Sequence, residues 1–300
     1  VRFEAAQLAQ LLMFVAGWHG GSVVLAMDRT NWSFGKTEHN LLVVGAILGK
    51  TLVPLAWVAL DKDGSSSGKE RIALMQKLLR FWKKKDIAYL LADREFIGEE
   101  WLSWLRSADI PFVIRMRSNQ IVTLQNGVRT RLDALCEGIH LWRNSQMISV
   151  KMHGVWWQLQ ARRTHKGLVI VLCYGMEEIA GKPVNLYRKR WKIECAFACL
   201  KRKGFELSRS AAETGAAKDT HLQHAERLET LLGAVLIAFC WSLAMARKCR
   251  KPTTKNHGYP ANCAFTIGKH ALIHALQHTR KISNAIAYAF NLIGVKKSVV

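Results

Sequence analysis

Tyr187, Arg190, Glu194 and Lys201 stand three, four and seven residues apart in the segment NLYRKRWKIECAFACLKRK. At 100° per residue, one continuous helix would hold all four within an arc of about 60°. A single carboxylate would then lie among two permanent cations and a phenol, a face built to meet phosphate. The plainer alternative is a solvated charged stripe on an amphipathic helix, since Leu186, Ile193, Phe197 and Leu200 cluster on the neighbouring side and could be buried.

Two apolar runs with strand character end on an aspartate. Ser22 to Met27 leads to Asp28 in SVVLAMDRTNW, and Ile87 to Ala92 leads to Asp93 in IAYLLADREF. Taken singly, each aspartate could be only a helix N-cap or a turn residue. Both precede the glutamate segment in the chain.

The pattern Tyr187-x2-Arg190-x3-Glu194-x6-Lys201 resembles the YREK signature of DDE transposases of the bacterial insertion-sequence four family, and Asp28-Arg29-Thr30-Asn31-Trp32 resembles the sequence around that family's first catalytic aspartate. The resemblance is strongest at 22–36, 87–96 and 182–205. It implies a catalytic and metal-binding set of Asp28, Asp93 and Glu194 on a two-metal Mg²⁺ site, with Mn²⁺ an acceptable substitute. Asp28 would bridge both ions, and Asp93 and Glu194 would hold one each. In-line displacement at phosphorus suits such a site, because two ions about 3.5–4 Å apart activate the entering oxygen and stabilise the leaving one. Hard cations also take oxygen ligands. Tyr187, Arg190 and Lys201 become DNA-binding residues. The activity implied is strand cleavage and strand transfer at the ends of an insertion sequence. Its partners are double-stranded DNA (terminal inverted repeats and target) and a second copy of the chain in the DNA complex, in a bacterial cytoplasm close to the nucleoid.

Apolar periodicity gives the order of the elements that must position these residues. A helix is expected over about 4–16, strand one over 22–28, and a hairpin from Leu41–Leu48 and Thr51–Leu60 around Gly49-Lys50. A loop at 61–68 precedes a helix over 69–82, then strand four (87–92), a helix (97–107) and strand five (112–116). This βββαβαβ order resembles the ribonuclease-H-like fold. The expected class is α/β, a mixed sheet flanked by helices, with residues 1–116 and 176–210 forming the core. Residues 117–175 read as a mainly β insertion, with strands at 120–124, 147–152, 155–162 and 168–174. Residues 211–300 read as a helical C-terminal region with helices near 221–247 and 262–291.

The resemblance also implies that the insertion handles a DNA hairpin and an unstacked base. Trp142, Trp156 and Trp157 are the aromatics available to stack on one, with cross-strand packing as the alternative for each. Trp142, beside Arg143 and Asn144 in a polar context, is the one free to reach DNA.

Composition agrees with a nucleic-acid partner. Lys and Arg number 44 against 22 Asp and Glu, a formal charge of +22, which calls for a polyanion and excludes an acidic or neutral surface. No membrane partner is expected. The apolar run 231–246 falls short of the ~20 residues needed to span and reads as a buried core helix. Seven cysteines without a Cys-x2-Cys pair suggest neither a disulfide framework nor a zinc ribbon, and Cys195 and Cys199 read as buried small hydrophobes. His270, His274 and His278 repeat every fourth residue but lack an acidic or cysteine partner nearby in sequence. Only 21 residues precede the first strand, where family members usually carry a terminal-repeat-binding domain. Two readings therefore stay open: an active transposase, and a truncated or inactive relative that binds DNA without sequence preference.

Overall fold

A computed structural model describes residues 4–34, 37–60, 62–177, 179, 181–201, 225–249 and 263–277. The chain divides into two compact units, one of residues 20–30 and 40–195, the other of residues 1–19, 31–39 and 196–300.

The first unit is built on one mixed sheet. Its ten described strands are β1 (Val23–Phe34), β2 (Thr37–Leu48), β3 (Thr51–Leu60), β4 (Ile87–Ala92), β5 (Phe112–Arg115), β6 (Ile121–Thr123), β7 (Arg129–Arg131), β8 (Ile148–Met152), β9 (Val155–Thr164) and β10 (Gly167–Tyr174), in the order β3-β2-β1-β4-β5-β10-β9-β8-β6-β7. β2 and β3 form the expected antiparallel hairpin, turning at Gly49 with φ +55°. β1, β4 and β5 are parallel, and their buried residues are almost all apolar, as strands covered on both faces require. This is the α/β, ribonuclease-H-like mixed sheet, and the stretch 117–175 continues it: β10 pairs antiparallel with β5, then β9 and β8 follow.

Crossovers between parallel strands need helices, and α2 (Gly68–Leu79) and α3 (Glu99–Ser107) supply them. α2 opens with a capping box: Ser67 Oγ accepts from Glu70 N at 3.3 Å, and Ser67 N donates to Glu70 Oε2 at 2.6 Å. Two short elements escape the periodicity reading, strand β7 and the single turn α4 (Leu132–Leu135), because neither is long enough to show a period.

The second unit, apart from the ends of β1 and β2 that it includes, is helical among the described residues. α1 (Ala5–Val15) packs on the helix Ala225–Ala246, and Arg247 caps it by donating to Ala16 O at 2.7 Å and Val15 O at 3.0 Å. The helix Ala264–Gln277 crosses Ala225–Ala246 at Gly268, where a Cβ would lie 1.7 Å from Ser242 O. No described helix is long and apolar enough to cross a membrane. His278, and the part of the last expected helix beyond Gln277, lie outside the described residues.

Candidate active site

Asp28 and Asp93 are brought together by register. Met27 of β1 pairs with Ala92 of β4, so the residue that follows each sets Asp28 and Asp93 side by side at the ends of this pairing, on neighbouring strands that run about 4.8 Å apart. The expectation that Asp28 ends its strand is corrected. β1 runs on to Phe34, with β2 as its other neighbour, and Asp28 stands where pairing to β4 stops. Asp93 does end its element. It caps the 3-10 turn Arg94–Phe96, its Oδ1 accepting from Arg94 N at 2.7 Å.

The glutamate segment is likewise not one helix. A turn of helix, α5 (Pro183–Leu186), begins on a proline, a residue suited to the first helical position. It leads into a 3-10 turn at Tyr187–Arg190, and α6 (Trp191–Lys201) follows. At three residues per turn, Tyr187 and Arg190 lie one above the other, and both are buried. Glu194 follows in the first turn of α6 and is partly exposed. Cys195 is exposed, contrary to the expectation of burial, whereas Cys199 is buried.

All three carboxylates converge on one guanidinium. Arg190 Nη1 donates to Asp28 Oδ2 at 2.9 Å, Nη2 lies 3.8 Å from Asp93 Oδ2, and Nη2 also donates to Glu194 Oε1. The Tyr187 hydroxyl donates to Asp93 Oδ1 at 3.0 Å, and the Arg190 guanidinium lies 5.8 Å from the Tyr187 ring centroid. Asp28 Oδ1 accepts from Arg29 N at 2.8 Å. Behind the aspartates, Arg29 pairs with Glu95 at 3.4 Å and donates to Asn40 Oδ1 at 2.9 Å. Arg71, 4% exposed, holds Glu95 O at 2.9 Å and Ser66 Oγ at 2.9 Å. Arg29, Glu95 and Arg71 were not among the expected site residues. The repeated Asp-Arg dipeptide at 28–29 and 93–94 is a signal for Arg29, and Arg71 stands in no such pattern.

The electrostatics separate the two aspartates. Burial pushes Asp28 up to about 6, against the pull of Arg190 and the Arg29 N–H, and the charges of Glu95 and Asp93 push the same way. Burial also raises Asp93. There the Arg94 N–H, Arg190, the Tyr187 hydroxyl and Arg115 prevail, and its carboxyl sits below the ordinary range. Burial drives the Tyr187 phenol well above its usual value. Burial disfavours the Arg190 cation, but Tyr187, Asp28, Asp93 and Glu194 more than compensate, so it stays charged.

Lys201 closes α6 and belongs to the helical unit. Trp142 is 52% exposed at φ +63°, a conformation rare for a large side chain. Its N–H donates to Arg163 O at 2.8 Å, its ring meets His165 edge-on at 5.0 Å, and Arg162 lies 5.5 Å from its centroid. Trp156 is exposed. Trp157 is core, with its Nε1 donating to Met152 O at 3.3 Å.

The donor set suits a hard divalent cation, being oxygen-only and drawn from three elements with a single positive group among them. Among the described residues, no group of three His, Cys, Asp or Glu closes into a ready metal cage, since the guanidinium of Arg190 stands between the carboxylates.

No curated protein matches the sequence. Among solved structures, the crystal structure of endonuclease V from Bacillus subtilis aligns with 65% of this chain and 94% of its own at 9% identity, with a TM-score of 0.31. The family model described as "Transposase DDE domain" matches residues 19–224, a span that contains both aspartates and the glutamate segment, and the chain belongs to that family.

Proposed function

We propose that this protein is a divalent-metal-dependent DNA strand-cleaving and strand-transferring transposase of the insertion-sequence four type, with Asp28, Asp93 and Glu194 as its catalytic carboxylates. The observation that carries the reading is the convergence of these three groups on Arg190 from a strand, a strand end and a helix far apart in sequence. A structural ion pair needs one partner. Three partly buried carboxylates around one cation leave negative charge in excess, and such a site attracts more positive charge.

Mg²⁺, or Mn²⁺ in its place, would be held by Asp28, Asp93 and Glu194 and would supply activation of the entering oxygen and stabilisation of the leaving 3′-oxygen. The remaining roles fall to side chains of the chain. Tyr187 keeps Asp93 in one orientation through its 3.0 Å hydrogen bond. Arg190 would offer its fork of donors to a phosphate of the strand being cut, where bidentate geometry fits best. The +22 charge supplies affinity for the duplex but no sequence information. Trp142, pinned by its backbone yet exposed, is preorganised to stack on an unpaired base.

The test is nicking of supercoiled plasmid DNA with and without Mg²⁺. Asp28→Asn and Glu194→Gln should each lower the rate by several powers of ten while leaving duplex binding largely intact. Nicking that persists in both variants would overturn the assignment.

A further inference from the structure

Pairing between β1 and β4 stops at Met27 and Ala92, one residue short of the two aspartates. Backbone hydrogen bonds therefore fix the spacing of these strands up to Asp28 and Asp93 but not beyond them. A side-chain bridge takes over there. Arg29 Nε donates to Glu95 Oε1 at 3.4 Å and Nη2 donates to Glu95 Oε2 at 3.5 Å, so one edge of the guanidinium meets one carboxylate across the gap. Neighbouring strand residues project from opposite faces, so Arg29 stands behind the site that Asp28 enters.

Both ends of this bridge are anchored. Arg29 Nη1 donates to Asn40 Oδ1 at 2.9 Å, and Asn40, buried on β2, donates in turn to Lys62 O at 2.9 Å and Gly64 O at 3.0 Å. Glu95 sits in the 3-10 turn that Asp93 caps, and its carbonyl accepts from Arg71 Nη2 at 2.9 Å. The buried Arg71 guanidinium lies 4.9 Å from the Phe96 ring centroid, and it also donates to Ser66 Oγ at 2.9 Å and to the Ser66 carbonyl. These contacts close a ring from Arg29 through Asn40, the loop 62–66, Arg71 and Glu95 back to Arg29. Apolar side chains of similar volume would stabilise such a junction as well or better, so what the ring of charges adds is a defined geometry.

We propose that Arg29 and Glu95, held by Asn40 and Arg71, are positioning residues that fix the spacing of Asp28 and Asp93 for the divalent cation. The inference rests on the active-site reading above, and the experiment separates the two. Charge and spacing act with different signs. Were the pair to act on the cation through charge alone, Glu95→Gln would weaken its binding and Arg29→Gln, which removes a positive neighbour, would tighten it. If the pair sets spacing, both variants weaken binding. The double variant is then no worse than the more affected single one, because each substitution already opens the same bridge.

Mn²⁺ binding to the DNA-free protein is titrated by electron paramagnetic resonance, well below each melting temperature, for the wild type, Arg29→Gln, Glu95→Gln, the double variant and Asp28→Asn. The Mn²⁺ concentration that half-activates plasmid nicking is read alongside. Support behind a ligating carboxylate is worth about 10–100-fold in metal affinity, so each single variant should bind Mn²⁺ about tenfold or more weakly. With Asp28→Asn weakened, three results overturn this inference alone: wild-type or tighter binding in Arg29→Gln, wild-type binding in Glu95→Gln, or losses that multiply in the double variant. Wild-type binding in Asp28→Asn overturns the active-site reading and this inference with it. Should Arg29→Gln fail to fold, Arg29→Lys decides, since it keeps the charge but not the fork: weaker Mn²⁺ binding supports the positioning role, and wild-type affinity overturns it.

Discussion

Arg190 Nη1 donates to Asp28 Oδ2 at 2.9 Å across 162 positions of the chain, joining the first strand of the sheet to the turn that precedes the glutamate helix. With side chains 11% and 16% exposed, the pair is shielded enough for its loss to matter. Removing Arg190 leaves Asp28, Asp93 and Glu194 facing one another. Breaking a buried pair on one side costs about 3–5 kcal/mol. Arg190→Gln should therefore melt well below the wild type without metal, and Mg²⁺ should raise its melting temperature more than that of the wild type. Equal melting temperatures in metal-free buffer would refute this.

Asp28 carries a pH signature. Its folded-state value of about 6 lies above the ordinary 3.8, so the folded protein binds a proton more tightly than the unfolded chain does. The stabilisation is fully present below about pH 4 and is lost as pH rises through about 6, a loss on the order of 3 kcal/mol. Asp28→Asn cannot titrate. Without metal, its stability relative to the wild type should rise between pH 4 and pH 7, measured by urea unfolding at both values. A difference that does not vary with pH contradicts the burial account.

Tyr187→Phe removes only the hydroxyl that donates to Asp93. A hydrogen bond to a charged group contributes about 1.5–3 kcal/mol. The variant should lose part of that in stability, and metal-dependent nicking should slow while duplex affinity stays near the wild-type value. An unchanged nicking rate would show that Asp93 needs no such support.

Trp142 makes its ring contacts with His165 and Arg162 on an exposed surface. Trp142→Ala should leave the melting temperature nearly unchanged. It should weaken binding to DNA with an unpaired base by about 1–3 kcal/mol relative to a fully paired duplex. Equal losses on the two DNAs would return this residue to surface packing.

Gly268 admits no side chain where the two long helices cross. Gly268→Ala must push them apart, costing about 1–3 kcal/mol or more, readable by thermal melting. No change in melting would contradict the close crossing.

Strand four, Ile87–Ala92, and the hairpin strand Thr51–Leu60 were legible to the residue, because continuous apolar runs bounded by turn residues leave little choice. The capping box of Ser67 and Glu70 is equally visible as Ser-x-x-Glu, at the end of a glycine- and serine-rich loop. Tyr187 and Arg190 show the limit of a helical wheel. Their three-residue spacing suits a 3-10 turn as well as an α-helix, and local sequence cannot choose between them.

What the sequence determined by itself is the inventory: two aspartates after apolar strands, a glutamate among cations, and a strongly basic chain. Those readings rest on residue type and local period, which act over a few positions. What only the tertiary structure decided is who meets whom. The parallel register of β1, β4 and β5 sets Asp28, Asp93 and Arg115 in one row, and the packing of the Tyr187–Arg190 turn places one guanidinium among three carboxylates. Register and packing come from long-range pairing of strands that any local pattern allows to slide, so the charge balance of the site appears only once the sheet has formed.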